Sequence, residues 1–504
     1  MFLKAYADVK YTYLPMRKFL ILIVAFVSIT AFAQDKELTI KDAITGYHLY
    51  PRGLSQLQWL PGGTFFSHVT TNDSGVQSLD IYEIEKTHNG RNISVTLEDV
   101  KNSTADGNYV KRLPYADWIN KNEFRFFANK AFWAYNIDSK KSRKLYNSEN
   151  SSGVDHNPTA DGFVAVVDNG IEGVLKGKEF SDKSDVDGIV IGQSVHRNEF
   201  GITNGTFWSP KGNALAYYYM DESMVTKYPM YQLADTPATM SEIRYPTAGG
   251  KSHHVKVKII DAEGNNIKLK TKGTDDHYLT NLSWSPDETY ILLAEVNREQ
   301  NHMWFNKYDA KTGAFVATLF EETNNKYVEP EHPAVFLKSD PNKFVWWSER
   351  DGYNHLYLYN ADGSLDKQLT KGDYVITQYH GFSGNGENIF VTSTKENALE
   401  RHLYCINVKS GKTKKITDKS GYHSISVNEN GAYFIDNYSS VNTPYISQII
   451  DEKGNLYERL KETENPLKDY AISRPEVGQI TGKAGQELYY RVFKQTNFVS
   501  KKKY

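Results

Sequence analysis

Eight times along this 504-residue chain, a turn rich in Pro, Asp, Asn or Gly, often led by Trp or Phe, launches an apolar strand. The instances are LQWLPGGTFFSHV from Leu57, ADWINKNEFRFFA from Ala116, HNPTADGFVAVV from His156 and FWSPKGNALAYYY from Phe207. LSWSPDETYILLAEV from Leu282, VFLKSDPNKFVWWSE from Val335, GFSGNGENIFVTST from Gly381 and SVNENGAYFIDNYS from Ser426 complete them. Between them lie second motifs such as DIYEIE, FWAYNID, HLYLYNADGS and HLYCINVKSGK, which read as strands entering hairpin turns. The spacing of roughly fifty residues is the length of a four-stranded propeller blade. A β-sandwich would also use many short strands. Eight units of blade length instead favour closure into a ring, which leaves only short, protected edges. The sequence therefore predicts an all-β chain built as an eight-bladed β-propeller. The widest gap, between Trp208 and Trp284, predicts an insertion at Tyr228 to Thr247, as an extended arm or hairpin.

The aromatic load of 35 Tyr, 24 Phe and 8 Trp suits strands, whose pleated, half-buried surface accommodates rings. A formal net charge of −2 gives no electrostatic case for nucleic acid or anionic lipid. Met16-Arg17-Lys18, an apolar run from Phe19 to Phe32 and the Ala31-Phe32-Ala33 site have the form of a secretory signal peptide. Export to a bacterial periplasm or cell surface is the expectation, with residues 1–15 as an upstream extension. Cys405, the single cysteine, sits in a strand-like run and reads as a buried, inert thiol. The run SDKSDVDGIVIG fails an EF-hand count, because Lys183 takes the first ligand position and Ser194 the last. His253-His254 has no evident third ligand. Neither a metal nor a cofactor is expected.

The stretch VHRNEFGITNGTFWSPKGNALAYYYMDES from Val195 places one acid, Glu199, in an aromatic-flanked loop just before a repeat turn. It resembles the propeller of the dipeptidyl peptidase IV family of serine exopeptidases. LTIKDAITG, SERDGYNHLYLYN at Ser348, LERHLYCINV at Leu399 and YFIDNYSSVNTP at Tyr433 match in the same order. The resemblance implies that a propeller carboxylate, Glu199, holds the free α-amino group of a peptide substrate. A carboxylate suits that task because it makes a charge-assisted hydrogen bond that an internal peptide cannot answer. The family's usual pair of adjacent acids is reduced to Asn198-Glu199, similar to the single-acid prolyl tripeptidyl peptidases, so di- and tripeptide release both stay open. Arg125, in EFRFFANKAFWAYNID, matches the family's arginine for a substrate backbone carbonyl, a role its planar, permanently charged fork suits.

The family's α/β-hydrolase domain needs a G-x-S-x-G elbow followed by Asp and His. No such elbow occurs in the chain; GFSGN and GQSVH fail the pattern. GKAGQELYYRVFKQTNFVSKKKY resembles the strand that opens that domain. The expectation is a propeller truncated just at the start of an α/β-hydrolase domain, with no catalytic residues of its own. The expected divisions are 1–33 for the extension and signal peptide, 34–50 for an N-terminal segment, 51–475 for the propeller and 476–504 for the opening of the hydrolase domain. Partners implied by the resemblance are peptides with a free N-terminus, the missing hydrolase domain and, in a full-length form, a second copy. A stand-alone peptide- or protein-binding propeller is the alternative.

Overall fold

The computed structural model describes residues 36–85, 92–159, 162–496 and 498–503. The signal peptide expected at Met16 to Ala33 lies outside them. The chain divides into two compact units: Gly53–Glu462, and the residues up to Arg52 taken together with those from Thr463 onward. The first unit carries the candidate site.

That unit is an eight-bladed β-propeller. Its blades span 55–96, 117–147, 151–182, 189–268, 278–323, 335–368, 376–415 and 422–463, each an antiparallel four-stranded sheet, with one additional short strand in the fourth. Every repeat turn found in the sequence joins the first strand of a blade to the second. In blade 5, for example, Ser285 to Thr289 link Tyr278–Trp284 to Tyr290–Val296. The second motifs supply third strands, such as His355–Asn360 and His402–Asn407.

Successive strand residues point to opposite faces, and here both faces are buried against a neighbouring blade. Within Tyr290–Val296, Ile291 and Leu293 enter the core shared with blade 4, while Leu292 and Ala294 enter the core shared with blade 6. Trp346 and Trp347 divide in the same way between blades 5 and 7. That is why these strands read as continuous apolar runs. Blade 8 packs on blade 1 through Ile435 and Ile449 against Phe66 and Ile84. Asn428 Nδ2 donates to Gly63 O at 2.8 Å and Trp59 Nε1 to Ser426 O at 3.0 Å across the same joint. The ring is closed.

The predicted insertion is a hairpin, Lys227–Gln232 with Thr239–Arg244, whose Tyr231 and Leu233 are exposed. Arg244 fixes its base, donating to Ser223 O at 2.9 Å, to Val225 O at 3.1 Å and to Asp187 at 2.6 Å. In the second unit, a short helix, Ile40–Thr45, is closed by a capping box from Thr39 and Asp42. A hairpin, Glu476–Thr481 with Glu487–Val492, belongs to the same unit. Cys405 is half-buried, and burial raises its thiol pKa, so it is held protonated.

Candidate functional site

The first strand of blade 4 is split. Ile189–Ile191 and Thr206–Trp208 both pair with Ala214–Asp221, and the chain between them leaves the sheet. The excursion is pinched at Tyr218: Gly192 N donates to Tyr218 O at 2.8 Å, and Tyr218 N donates to Gly205 O at 2.9 Å. Only glycine fits at 205, because a Cβ there would lie 2.3 Å from Gly192 O. Glu199 sits in this excursion.

Its backbone is unusual. His196, Arg197, Asn198 and Phe200 all have φ between 53 and 64°. Left-handed geometry costs a residue with a side chain about 1–2 kcal/mol, so such a run persists only where its surroundings over-determine it. Glu199 interrupts the run in extended geometry, at φ −62° and ψ 162°. Asn198, at φ 64° and ψ 17°, is of the residue type that tolerates this region best. A neutral amide beside Glu199 is thus at home in this backbone.

The flanking residues anchor the loop. His196 and Phe200 are buried on either side of the exposed Arg197, Asn198 and Glu199. Both rings pack on Tyr278 with centroids 5.0 Å away. Leu279 N donates to His196 Nε2 at 3.1 Å, so the His196 proton is on Nδ1 and points to His253 Nε2, 3.0 Å away. His253 Nε2 also accepts from His196 N at 3.3 Å. Both imidazoles are therefore neutral. Burial drives His196 well below the usual histidine range, and burial followed by the nearby Arg197 and Arg298 charges brings His253 down to about 4. Thr280 Oγ1 donates to Phe200 O at 3.2 Å, and Arg197 reaches back to Arg244 O at the base of the arm.

Among the described residues, the Glu199 carboxylate receives one hydrogen bond, from Gln300 Nε2 at 3.3 Å. The same amide donates to Tyr278 Oη at 3.0 Å, and Arg298 also donates to that oxygen. Glu199 therefore sits exposed on a rigid mount, with acceptor capacity to spare. Asn198 lines a cavity of about 490 Å³ at the arm base, alongside Arg197, Glu222 and Arg244.

Arg125 is in the second blade, opposite Asp117 in the register, and its side chain is mostly buried. Its Nε and Nη2 both bond Asp117 Oδ2 at 2.8 Å. The pair lines a cavity of about 430 Å³ with Tyr109, Tyr115, Phe127 and Phe132. Burial, then the Arg125 charge, pushes the nearby His156 down to about 4. Asp155, also within Arg125's field, accepts from Thr206 Oγ1 at 2.9 Å, the strand to which the Glu199 excursion returns. Arg125 and Glu199 thus stand in separate blades with different partners. Gln300, Tyr278 and the His196–His253 pair escaped sequence reasoning, because their links to the loop span 57 to 101 residues and follow no local pattern.

Against this geometry, the family model for the dipeptidyl peptidase IV (DPP IV) N-terminal region matches residues 112–445. The chain belongs to the dipeptidyl peptidase IV family. A crystal structure of a candidate dipeptidyl aminopeptidase IV from Bacteroides ovatus is 33% identical, with a TM-score of 0.82, over 93% of this chain and 69% of that one. Porphyromonas gingivalis dipeptidyl peptidase 4, at 22% identity and a TM-score of 0.76 over 92% of this chain and 68% of that one, shares the fold. A candidate dipeptidyl-aminopeptidase B of Neurospora crassa is 24% identical over 76% of this chain and 46% of its own length. That of Coccidioides posadasii is 27% identical over 60% of this chain and 37% of its own. This dipeptidyl peptidase IV propeller thus spans about half the length of the curated relatives it matches, or less.

Proposed function

We propose that this chain is the substrate-gating, amine-binding propeller of an exported serine exopeptidase that releases Xaa-Pro-type N-terminal di- or tripeptides. Glu199 holds the substrate's α-ammonium, and Arg125 is assigned a substrate carbonyl. The Ser-Asp-His chemistry belongs to an α/β-hydrolase domain outside these 504 residues, so the chain alone binds without cleaving. Export rests on the leader at Met16 to Ala33. The full-length form is assigned as a dimer.

One observation carries the reading: an exposed carboxylate with, among the described residues, a single 3.3 Å donor, on a left-handed loop whose flanking residues are buried and bonded. Strain of this kind concentrates where the backbone must present a functional group. Fixing the ammonium also fixes its distance to the scissile bond, which is how such a site would count residues from the N-terminus. Asn198 contributes an amide but no second charge, so the clamp rests on one ion pair.

The test is equilibrium binding of a short Xaa-Pro peptide to the 504-residue chain. Glu199→Gln removes the charge at nearly constant shape, and its expected effect is a loss of about tenfold in affinity, the size of one charge-assisted hydrogen bond. Unchanged affinity in Glu199→Gln would overturn the assignment.

A further inference from the structure

The turn that reaches Glu199 is itself held rigidly. Asn297 to Asn301 join Tyr290–Val296 to His302–Asp309 in blade 5. Asn297 Oδ1 accepts from the amides of Asn301 at 3.0 Å and His302 at 2.9 Å, and Gln300 N donates to Asn297 O at 2.9 Å. From outside the turn, Val328 N donates to Gln300 O at 2.8 Å. These bonds hold Gln300 at a φ of 57°, a left-handed backbone that a glutamine rarely adopts. Such strain persists only where the surroundings over-determine it, and here it aims one side chain.

The Gln300 amide has two N–H groups, and both are used. One donates to Glu199 Oε2 at 3.3 Å and the other to Tyr278 Oη at 3.0 Å. A carboxylate only accepts, so turning the amide over would set its carbonyl oxygen against another acceptor. Tyr278 is 6% exposed and packs against the rings of His196 and Phe200, on either side of Glu199. The amide therefore ties the carboxylate to the residue that anchors both shoulders of its loop. Among the described residues, Glu199 Oε1 receives no hydrogen bond, and Arg298 bonds the phenol oxygen without making an ion pair to Glu199. A neutral donor steadies the carboxylate, and its charge is left uncancelled.

We propose that Gln300 is a positioning residue for the ammonium site: it orients Glu199 through Oε2 and leaves Oε1 presented to the substrate's α-ammonium. The proposal rests on the Glu199 reading and assigns the geometry of that clamp to a turn of another blade. An exposed carboxylate has to be ordered when it captures a ligand, and an amide that has already ordered it lowers that cost. A lysine or arginine at 300 would order it as well, but would cancel the charge that the ammonium needs.

The test compares binding of Ala-Pro-Gly-Phe and its Nα-acetylated form to the 504-residue chain, the ratio of the two affinities reporting on the α-ammonium alone. Gln300→Asn keeps the amide but is one methylene too short to reach, and asparagine tolerates the left-handed backbone better than glutamine does. Its denaturation midpoint should match or exceed that of the native chain, while the ratio falls about threefold to tenfold, the worth of one hydrogen bond to a charged acceptor. Gln300→Lys restores a donor of full reach, which would rescue a merely structural role; here it should lower the ratio further than Gln300→Asn. In a Glu199→Gln background, Gln300→Asn should change the ratio no more. A native ratio in Gln300→Asn, or a rescue by Gln300→Lys, overturns the positioning role while a loss in Glu199→Gln leaves the Glu199 reading standing. A native ratio in Glu199→Gln overturns both.

Discussion

Glu199 is placed by residues that lie far from it in the sequence. The Leu279 amide sets the His196 tautomer, His196 donates to His253, and the rings of His196 and Phe200 meet on Tyr278. The arrangement works only with both histidines neutral, which gives it a pH dependence of known sign. Their folded pKa values lie below the unfolded value near 6.5, so the unfolded chain takes up protons first on acidification. Their contribution to stability is complete above about pH 6.5 and is lost as pH falls towards about 4, the value for His253, with a slope of at most about 1.4 kcal/mol per pH unit for each group. Denaturation midpoints at pH 7.5 and pH 5 should therefore diverge less in His253→Gln, which keeps an acceptor for His196 and cannot titrate. An unaltered pH dependence would contradict the tautomer assignment. Glu199 was legible because the VHRNEFG run matches a family pattern. Gln300 was not, since a donor 101 residues away leaves no trace in local sequence.

The elements were legible to different degrees. Each repeat turn pairs a Pro, Asn, Asp or Gly cluster with an apolar run, and turn chemistry of that kind is local, so all eight first-to-second strand junctions could be read directly. The arm was found from a gap in the spacing. The split first strand of blade 4 was hidden, because nothing in GQSVHRNEFGITNG states that both of its ends return to Tyr218. The helix Leu97–Asn102 was also unforeseen; its Thr96–Asp99 capping box begins an element of only six residues, too short for a periodic signal. Gly201 is the most exacting position of the Glu199 loop. Its φ of 70° and its contact with Glu331 O exclude any side chain without backbone movement. Gly201→Ala should cost about 1–3 kcal/mol in chemical denaturation and weaken binding of free-amine peptides, because the loop and the backbone at Glu331 would both shift. A Gly201→Ala chain with native stability and native peptide affinity would refute the link between these two segments.

At the scale of the whole molecule, periodicity predicted the ring, and packing of both strand faces between blades explains it. Each blade is drawn from one continuous stretch of sequence, so closure relies on side chains. The Ile435–Phe66 core and the Asn428 and Trp59 hydrogen bonds join the last blade to the first. Such contacts cross about 370 residues and were beyond sequence reading. A large propeller that mounts an exposed carboxylate on a strained, anchored loop is suited to holding one end of a peptide. A crystal structure of the 504-residue chain with Ala-Pro-Gly-Phe bound tests that most directly. The account predicts the peptide's α-ammonium about 2.7–2.9 Å from a Glu199 carboxylate oxygen. An α-ammonium bound elsewhere, with Glu199 still paired only with Gln300, would contradict it.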